Sequence, residues 1–244
     1  MQYYWAVAKC GTGLREVLES QIAIMDKYDP RGHIGLLVDE WGTWWDEEPG
    51  SQPGHLYQQN TMRDAMVAAF SLNTFHQYTR RIRMCNIAQM ANVLQSMVLT
   101  KDSRMVLTPT YHVFRMYVPN MQARNIPLQV MSETFHGDNE RDRTTPRSSP
   151  YVSASASRQD DGTVNINLAN ADLKQRNRVT IRLDNIKGTV LKAEILTADN
   201  MQAHNTFDHP DTVKPKNFKA VKADGSGTLT IDLPPMSIVC MQVK

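Results

Sequence analysis

Residues 35–45 read Gly35-Leu36-Leu37-Val38-Asp39-Glu40-Trp41-Gly42-Thr43-Trp44-Trp45. A short apolar run bounded by polar residues is typical of a buried parallel strand. Two adjacent carboxylates end this run, and α/β barrels carry their catalytic groups where such strands end. Because successive strand residues point to opposite faces, we expect only one of Asp39 and Glu40 to face a pocket. A helix cap or a solvated turn would also account for this acidic pair.

The same stretch contains three tryptophans within five positions, Trp41, Trp44 and Trp45. An indole offers a flat apolar face and an N–H donor, which suits the C–H faces of a sugar. Ordinary packing in a core or a loop would explain the same residues. The stretch alone therefore leaves two interpretations open, a sugar site and a packed strand end.

The composition excludes several classes of protein. The chain has 244 residues, 41% of them hydrophobic and 21% charged, enough for one large or two medium domains. A net charge of +2 without a basic, aromatic-rich block gives no reason to expect a nucleic-acid partner. The three cysteines, Cys10, Cys85 and Cys240, lack the spacing of a disulfide framework or a zinc site. Neither a membrane span nor a signal peptide is recognisable, so we expect a cytoplasmic protein without a membrane partner.

The first half of the chain alternates between helical and strand patterns. The patterns predict helices at 13–28 (with Thr12 as a possible N-cap), 58–77, 90–99 and Thr108–Tyr117, strands at 33–40 and 81–88, and no capped element in residues 1–12. This alternation is typical of an α/β barrel, which takes about 250 residues and eight strands. Two strands form only a part of one, so we predict a partial (β/α) barrel over residues 1–124.

After residue 125 the pattern changes to short alternating runs separated by turn signals. The runs are 127–135, 151–157, 163–169, 178–183, 190–197, 228–233 and 237–243. Such spacing favours an antiparallel β-sandwich, here over residues 125–244. The charged stretch 136–150 is predicted to be a long loop, and 198–216 an irregular segment. The predicted fold class is therefore α/β plus all-β.

Several short motifs follow one another in a fixed order. They are Val38–Trp44, Glu48–Gly50, Leu56–Thr61, Arg63–Ala65, Asn86–Gln89, Leu107–Phe114, Leu196–Asp199 and Ala203–Asp208. Together they resemble the α-L-arabinofuranosidases of glycoside hydrolase family 51, and the resemblance covers essentially the whole chain. It implies the C-terminal part of a (β/α)8 barrel followed by a jelly-roll-like sandwich.

The resemblance also implies a mechanism. Family members are retaining glycosidases, which use two carboxyl groups about 5–5.5 Å apart as nucleophile and acid/base. Carried over by motif, Glu40 is the nucleophile, Gln89 hydrogen-bonds the bound sugar, and Trp44 belongs to the sugar-binding wall. The expected substrates are arabinan, arabinoxylan and related oligosaccharides. No cofactor or metal is expected, and bacterial relatives are commonly hexamers.

One part of the family pattern has no clear counterpart. The family's acid/base glutamate lies in an Asn-Glu pair on an earlier strand, and the single such pair here, Asn139-Glu140, stands in the charged stretch without the family's flanking residues. We do not assign it a role. Three hypotheses follow: a hydrolase half whose acid/base comes from elsewhere, a sugar-binding or support module, and a non-catalytic fragment.

Overall fold

The computed structural model describes residues 2–139 and 142–244. The helices are α1 (Gln2–Ala8), α2 (Leu14–Tyr28), α3 (Met62–Gln77) and α4 (Pro109–Tyr117), with a π-helical turn at Lys9–Gly13 and a 3-10 turn at Val118–Asn120. The strands are β1 (Leu36–Trp41), β2 (Ile82–Ile87), β3 (Val98–Lys101), β4 (Arg104–Leu107), β5 (Arg124–Ile126), β6 (Thr134–Asn139), β7 (Asp142–Pro150), β8 (Val152–Arg158), β9 (Val164–Asn170), β10 (Asn177–Arg182), β11 (Val190–Thr197), β12 (Lys216–Asn217), β13 (Val221–Ala223), β14 (Thr228–Leu233) and β15 (Ser237–Val243). The chain is thus mostly β, with a few helices.

Two antiparallel sheets form the second half. One has the order β12-β11-β15-β9-β8-β5, and the other has the order β10-β14-β13. Their inward side chains, such as Ile166, Met241 and Ile231, belong to one apolar cluster. The alternating runs from residue 151 onwards therefore form strands as predicted, because each buries its apolar side chains against the facing sheet.

A pair of parallel strands lies in the first half. In the pair β1–β2, Leu36 lies opposite Ile82 and Val38 lies opposite Cys85. Helices α2 and α3 cover one face, where Leu18, Phe75 and Ile82 form a small buried cluster. On these strands Leu37 and Met84 are half exposed, at 50% and 53%. Within 2–139 and 142–244 no closed barrel is present, so the partial barrel stays a prediction.

The start of the chain differs from the prediction. Helix α1 occupies residues for which no element was predicted, and it runs through the π-helical turn into α2. Thr12 is not an N-cap, since its hydroxyl donates to the carbonyl of Ser148 at 2.6 Å. Helix α1 is stabilised by packing in place of a cap. Its buried residues are Tyr3, Ala6, Val7 and Ala8.

The helix predicted at 90–99 is wrong. The chain is irregular up to residue 97 and then forms the hairpin β3–β4. Asn92 and Leu94 adopt left-handed conformations, with φ of 62° and 50°. Two such residues are incompatible with a right-handed helix. Gln95, at 0% exposure, turns its polar side chain inwards and serves the neighbouring loop.

The long loop predicted at 136–150 is also wrong. Strands β6 and β7 pair there as a hairpin, with Phe135 opposite Ser149. Phe135 is 3% exposed and packs against the ring of Tyr4 in α1. Gly137 lets the hairpin lie directly on α1, because an added Cβ would overlap the backbone of Tyr4 and Trp5. Glu140 lies outside the described residues.

One apolar core joins the helices to the sheets. The core contains the inward, methionine-rich face of α3 together with residues of α1, α4, β9, β11 and β15. Representative members are Val7, Met62, Met66, Phe70, Val113, Ala169, Leu196 and Ile238. The strand β1 and the loop that follows it are therefore attached to a rigid support.

Candidate active site

The two carboxylates lie in an irregular part of β1. Val38 is opposite Cys85 and Trp41 is opposite Ile87, so three steps along β1 face two steps along β2. This is the geometry of a β-bulge, which redirects side chains at strand ends. Asp39 and Glu40 are both exposed. The side chains of Asp39 and Glu40 therefore do not follow the regular strand alternation that would have placed them on opposite faces.

Glu40 and Gln89 come to the same edge of the parallel pair. The N–H of Ala88 donates to the carbonyl of Trp41 at 2.9 Å, which fixes the end of β2 beside the end of β1. Gln89 follows directly and is exposed. Among the described residues, the side chains of Asp39, Glu40 and Gln89 have no hydrogen-bond or ion-pair partner. Their polar atoms are therefore available to a ligand.

The chain turns sharply after this edge. Gly42 has φ of +141°. A Cβ there would approach Oε1 of Gln95 to 3.2 Å and the carbonyl oxygen of Ala88 to 3.3 Å. Glycine is therefore required for the chain to pass this close to its neighbours.

Beyond the turn, Thr43 is held inside the protein. Its N–H donates to Oε1 of Gln95 at 2.9 Å, and its hydroxyl donates to Oδ1 of Asp64 at 2.8 Å. Nε2 of Gln58 donates back to the Thr43 hydroxyl at 3.0 Å. All four side chains are buried. Buried polar groups satisfied in this way fix one conformation of the loop.

Trp45 is held by the same partners. Its backbone N–H donates to Oε1 of Gln58 at 2.8 Å, and its indole Nε1–H donates to Oδ1 of Asp64 at 2.7 Å. The guanidinium of Arg63 lies over its ring, 4.0 Å from the centroid. With Thr43 and Trp45 tied inwards, Trp44 between them points outwards and is 68% exposed.

Asp64 links this loop to the start of α3. Its Oδ2 accepts the backbone N–H of Thr61 at 2.8 Å, while the Thr61 hydroxyl caps the first turn of the helix. Asp64 is fully buried. A single carboxylate thus joins the helix cap to the loop that follows Glu40.

The remaining tryptophan of the stretch, Trp41, packs against other aromatic side chains. Trp41 stacks on Phe114 with 5.9 Å between ring centroids and meets Phe75 edge-on at 5.3 Å. Its Nε1 is buried without a hydrogen-bond partner among the described residues. Trp41 therefore supports the strand end from behind.

Cys85 does not have the properties of a nucleophile. Burial raises the pKa of its thiol to about 12, so the reactive thiolate is disfavoured at neutral pH. In the part of the chain that the structure describes, no group of three or more His, Cys, Asp or Glu residues could hold a metal ion. No described helix is long and apolar enough to cross a membrane.

No role is predicted from the sequence for Gln58, Asp64 or Gln95. A local signal existed for Asp64, because Thr61 and Asp64 have the spacing of a capping box. No local signal existed for Gln95, whose partner Thr43 lies 52 residues earlier in the chain.

Comparison with known proteins identifies the family. A sequence model described as the alpha-L-arabinofuranosidase C-terminal domain matches residues 39–237. The crystal structure of the GH51 arabinofuranosidase from Xanthomonas axonopodis pv. citri matches with a TM-score of 0.87 and 41% identity, over 95% of this chain and 45% of that one. The chain belongs to glycoside hydrolase family 51.

Two other relatives are arabinofuranosidases by name. The chain is 49% identical to the intracellular exo-alpha-L-arabinofuranosidase of Bacteroides ovatus over 99% of its own length and 46% of the relative's. An α-L-arabinofuranosidase from Thermotoga maritima, solved with arabinose, shares the fold with a TM-score of 0.78 and 22% identity, covering 99% of this chain and 50% of that one. This family 51 chain therefore spans about half the length of the relatives that it matches.

Proposed function

We propose that the chain carries the nucleophile of a retaining α-L-arabinofuranosidase, and that Glu40 is this nucleophile. The observation that carries the proposal is the position of Glu40, exposed and without a partner among the described residues, at the bulged end of β1 next to Gln89. Membership of family 51 supports it, since the named relatives are arabinofuranosidases.

In this mechanism, a carboxylate oxygen of Glu40 attacks the anomeric carbon of a terminal arabinofuranosyl group. The bond to the leaving oxygen breaks, that oxygen takes a proton from a second carboxyl group, and an ester forms between the sugar and Glu40. Water, deprotonated by the second group, then hydrolyses the ester. We propose that the amide of Gln89 hydrogen-bonds a sugar hydroxyl and that Trp44 forms part of the wall. No residue of this chain is assigned as the acid/base.

We further propose that residues 1–124 are the last part of a (β/α)8 barrel and that 125–244 form its accompanying sandwich. Strand β1 pairs with β2 alone among the described strands, so one edge of each strand is open. Apolar side chains are exposed on these strands, at Leu37 and Met84, and on helix α2, at Val17 and Ile24. Further barrel elements would cover such side chains, which supports the proposal.

The names of the relatives support a substrate class and a compartment. The Bacteroides ovatus relative is named intracellular and exo-acting, and a 23% identical relative in Bifidobacterium longum is named an exo-α-(1→6)-L-arabinofuranosidase. We propose that this protein removes terminal arabinofuranosyl residues from arabinan- or arabinoxylan-type oligosaccharides inside the cell. Assembly as a homo-oligomer, such as the hexamer implied by the family resemblance, belongs to the same proposal.

The proposal is tested by trapping the covalent intermediate. The protein is mixed with an aryl α-L-arabinofuranoside whose phenol is acidic enough to leave without protonation, and its intact mass is measured within a single turnover. Wild type and Asp39→Ala should form an arabinosyl adduct, and Glu40→Ala should form none. An adduct that persists in Glu40→Ala, or is lost only in Asp39→Ala, would move the nucleophile to another residue. A folded wild type without any adduct would contradict the proposal.

A further inference from the structure

A short segment between β2 and β3, residues 94–97, reaches the turn that follows Glu40. Gln95 of this segment is fully buried, and its Oε1 accepts the N–H of Thr43 at 2.9 Å. The same oxygen would lie 3.2 Å from a Cβ at Gly42, so it packs directly against the turn. Gly42 and Thr43 are the second and third residues after Glu40. The amide of Gln95 thus limits where the chain can go directly after the proposed nucleophile.

The same segment also contacts the residue that is proposed to bind the sugar. The backbone N–H of Met97 donates to the carbonyls of Gln89 and Met90, at 3.2 and 3.1 Å. Gln95 and Met97 are two residues apart in the chain. The turn after β1 and the chain after β2 are therefore attached to one short piece of backbone.

Two helices hold this segment from behind. Nε2 of Gln95 donates to the carbonyl of Asp64 in α3 at 2.7 Å and to the hydroxyl of Thr110 in α4 at 3.1 Å. The hydroxyl of Thr108, which caps α4, donates to the carbonyl of Ser96 at 2.7 Å. All of these residues are buried. The oxygen and both N–H groups of the Gln95 amide have partners, which fixes the orientation of its side chain.

We propose that Gln95 is a positioning residue, which holds the turn after Glu40 in a fixed relation to Gln89. A sugar bound by the amide of Gln89 then presents its anomeric carbon to the carboxylate of Glu40. The inference rests on the proposed function for the roles of these two residues. Because Gln95 is buried, it acts through the turn and not on the substrate. Its effect is geometric, and a displacement of about 1 Å at the reacting groups costs about a hundredfold in rate.

The test compares Gln95→Met with wild type in the 244-residue chain. Methionine has a similar length and lacks all three hydrogen bonds of the amide. The rate constant of adduct formation with the activated aryl arabinofuranoside should fall about tenfold to a hundredfold at saturating substrate. The half-saturating substrate concentration should change less than about threefold, because the contact between Met97 and Gln89 is made by the backbone and remains.

A second variant and a matched control use glycines. Gly42→Ala would press on Oε1 of Gln95 and on the carbonyl of Ala88, at 3.2 and 3.3 Å, so it should lower the same rate constant. It carries the test if Gln95→Met does not fold. Gly227→Ala is the control, because its φ is also positive, at +99°, and its Cβ would lie 2.7 Å from the carbonyl oxygen of Leu183 in the sandwich. It should destabilise the protein and leave the rate constant of folded molecules unchanged.

Amide hydrogen exchange gives a readout that needs no turnover. In Gln95→Met, the amides of Thr43 and Ala88 should exchange faster relative to those of the sandwich, because the turn and the hydrogen bond between the strand ends loosen. In Gly227→Ala they should not.

The outcomes separate this inference from the proposed function. A Gln95→Met variant that forms the adduct as fast as wild type, or whose exchange is unchanged, would overturn the inference while the role of Glu40 stands. A Gly227→Ala variant that is equally slow would overturn it as well. Faster exchange in Gln95→Met without any adduct in wild type would refute the role of Glu40 and keep Gln95 as the link between the two strand ends.

Discussion

Among single residues, Asp64 holds the loop after Glu40 in place although it does not reach the surface. Its two carboxylate oxygens accept hydrogen bonds from Thr43, Trp45 and Thr61, so the helix cap and the loop after Glu40 share one anion. A carboxylate satisfies this set because every partner is a donor. A neutral amide of the same size would place an NH2 group against one of these donors.

Replacement of Asp64 by asparagine should therefore destabilise the protein by about 1–3 kcal/mol, the cost of an unsatisfied buried hydrogen-bonding group. The free energy of unfolding in urea, followed by circular dichroism, measures the effect. Asp208→Asn is the matched control, since Asp208 is exposed and makes a surface ion pair with Arg104 at 3.4 Å. Equal stability of the two variants would show that the Asp64 contacts do not hold the loop.

At this scale the sequence predicted the candidate site only partly. The motif around Glu40 and the position of Gln89 could be recognised because both lie at strand ends within short contiguous stretches. The supporting side chains could not, because Gln58 and Gln95 meet Thr43 from positions 15 and 52 residues away. Hydrogen bonds between such distant residues leave no period or spacing in the sequence. The assigned roles of Glu40, Gln89 and Trp44 remain predictions.

Among the secondary-structure elements, α1 and the hairpin β6–β7 make one of the closest contacts in the described part of the chain. Gly137 brings β6 against the backbone of Tyr4 and Trp5. Gly11 in the π-helical turn allows a similar approach, since a Cβ there would lie 2.8 Å from the Ser149 hydroxyl oxygen. The position of Trp5 thus depends on glycine at both places.

Gly137→Ala should push α1 away from β6 and destabilise the protein by about 1–3 kcal/mol, as overpacking does. The tryptophan emission spectrum should change as well, because Trp5 moves with α1. Gly50→Ala is the control: it introduces strain at φ of +82°, but no atom lies within 4 Å of the added Cβ, so the emission should stay unchanged. An unaltered spectrum and thermal midpoint in Gly137→Ala would contradict this close packing.

The elements themselves were predicted where side-chain pattern and packing agree. The strand runs from residue 151 onwards and the capped helix at Pro109 follow their local signals. Helix α1 was not predicted because its sequence has no cap signal. Burial of Tyr3 and Val7 stabilises it instead. The segment 90–97 has apolar residues, but Asn92 and Leu94 adopt left-handed conformations, and their backbone N–H groups donate to the carbonyls of Val98 and Leu56.

For the molecule as a whole, the contact between the helices and the sheets contains a buried polar seam. His76 on α3 has its Nδ1 2.9 Å from the hydroxyl of Ser155 on β8. That hydroxyl donates to Asn73 at 2.7 Å, and Tyr117 donates to the same oxygen of Asn73 at 2.9 Å. Burial lowers the pKa of His76 to about 4, from an ordinary value of 6.5.

Stability should therefore decrease as the pH falls from about 6.5 to about 4. In this range the unfolded chain binds a proton at His76 while the folded chain does not, so protons favour unfolding, by up to about 3 kcal/mol at the acid end. Urea unfolding across this pH range measures the slope, and His76→Gln should reduce it. Burial also lowers the pKa of His112 to about 4, so His112→Gln should reduce the slope independently. An identical slope in His76→Gln and wild type would refute the role of His76.

The loop after Glu40 also has a consequence for protein engineering. Thr43 and Trp45 are anchored by buried partners, whereas Trp44 between them is exposed to solvent. The loop is thereby held at Thr43 and Trp45, while the position between them, for which we propose a contact with the sugar, carries none of these hydrogen bonds. If Trp44 has the proposed role, saturation mutagenesis at this position should change substrate selectivity while the scaffold stays intact, which makes codon 44 a starting point for directed evolution.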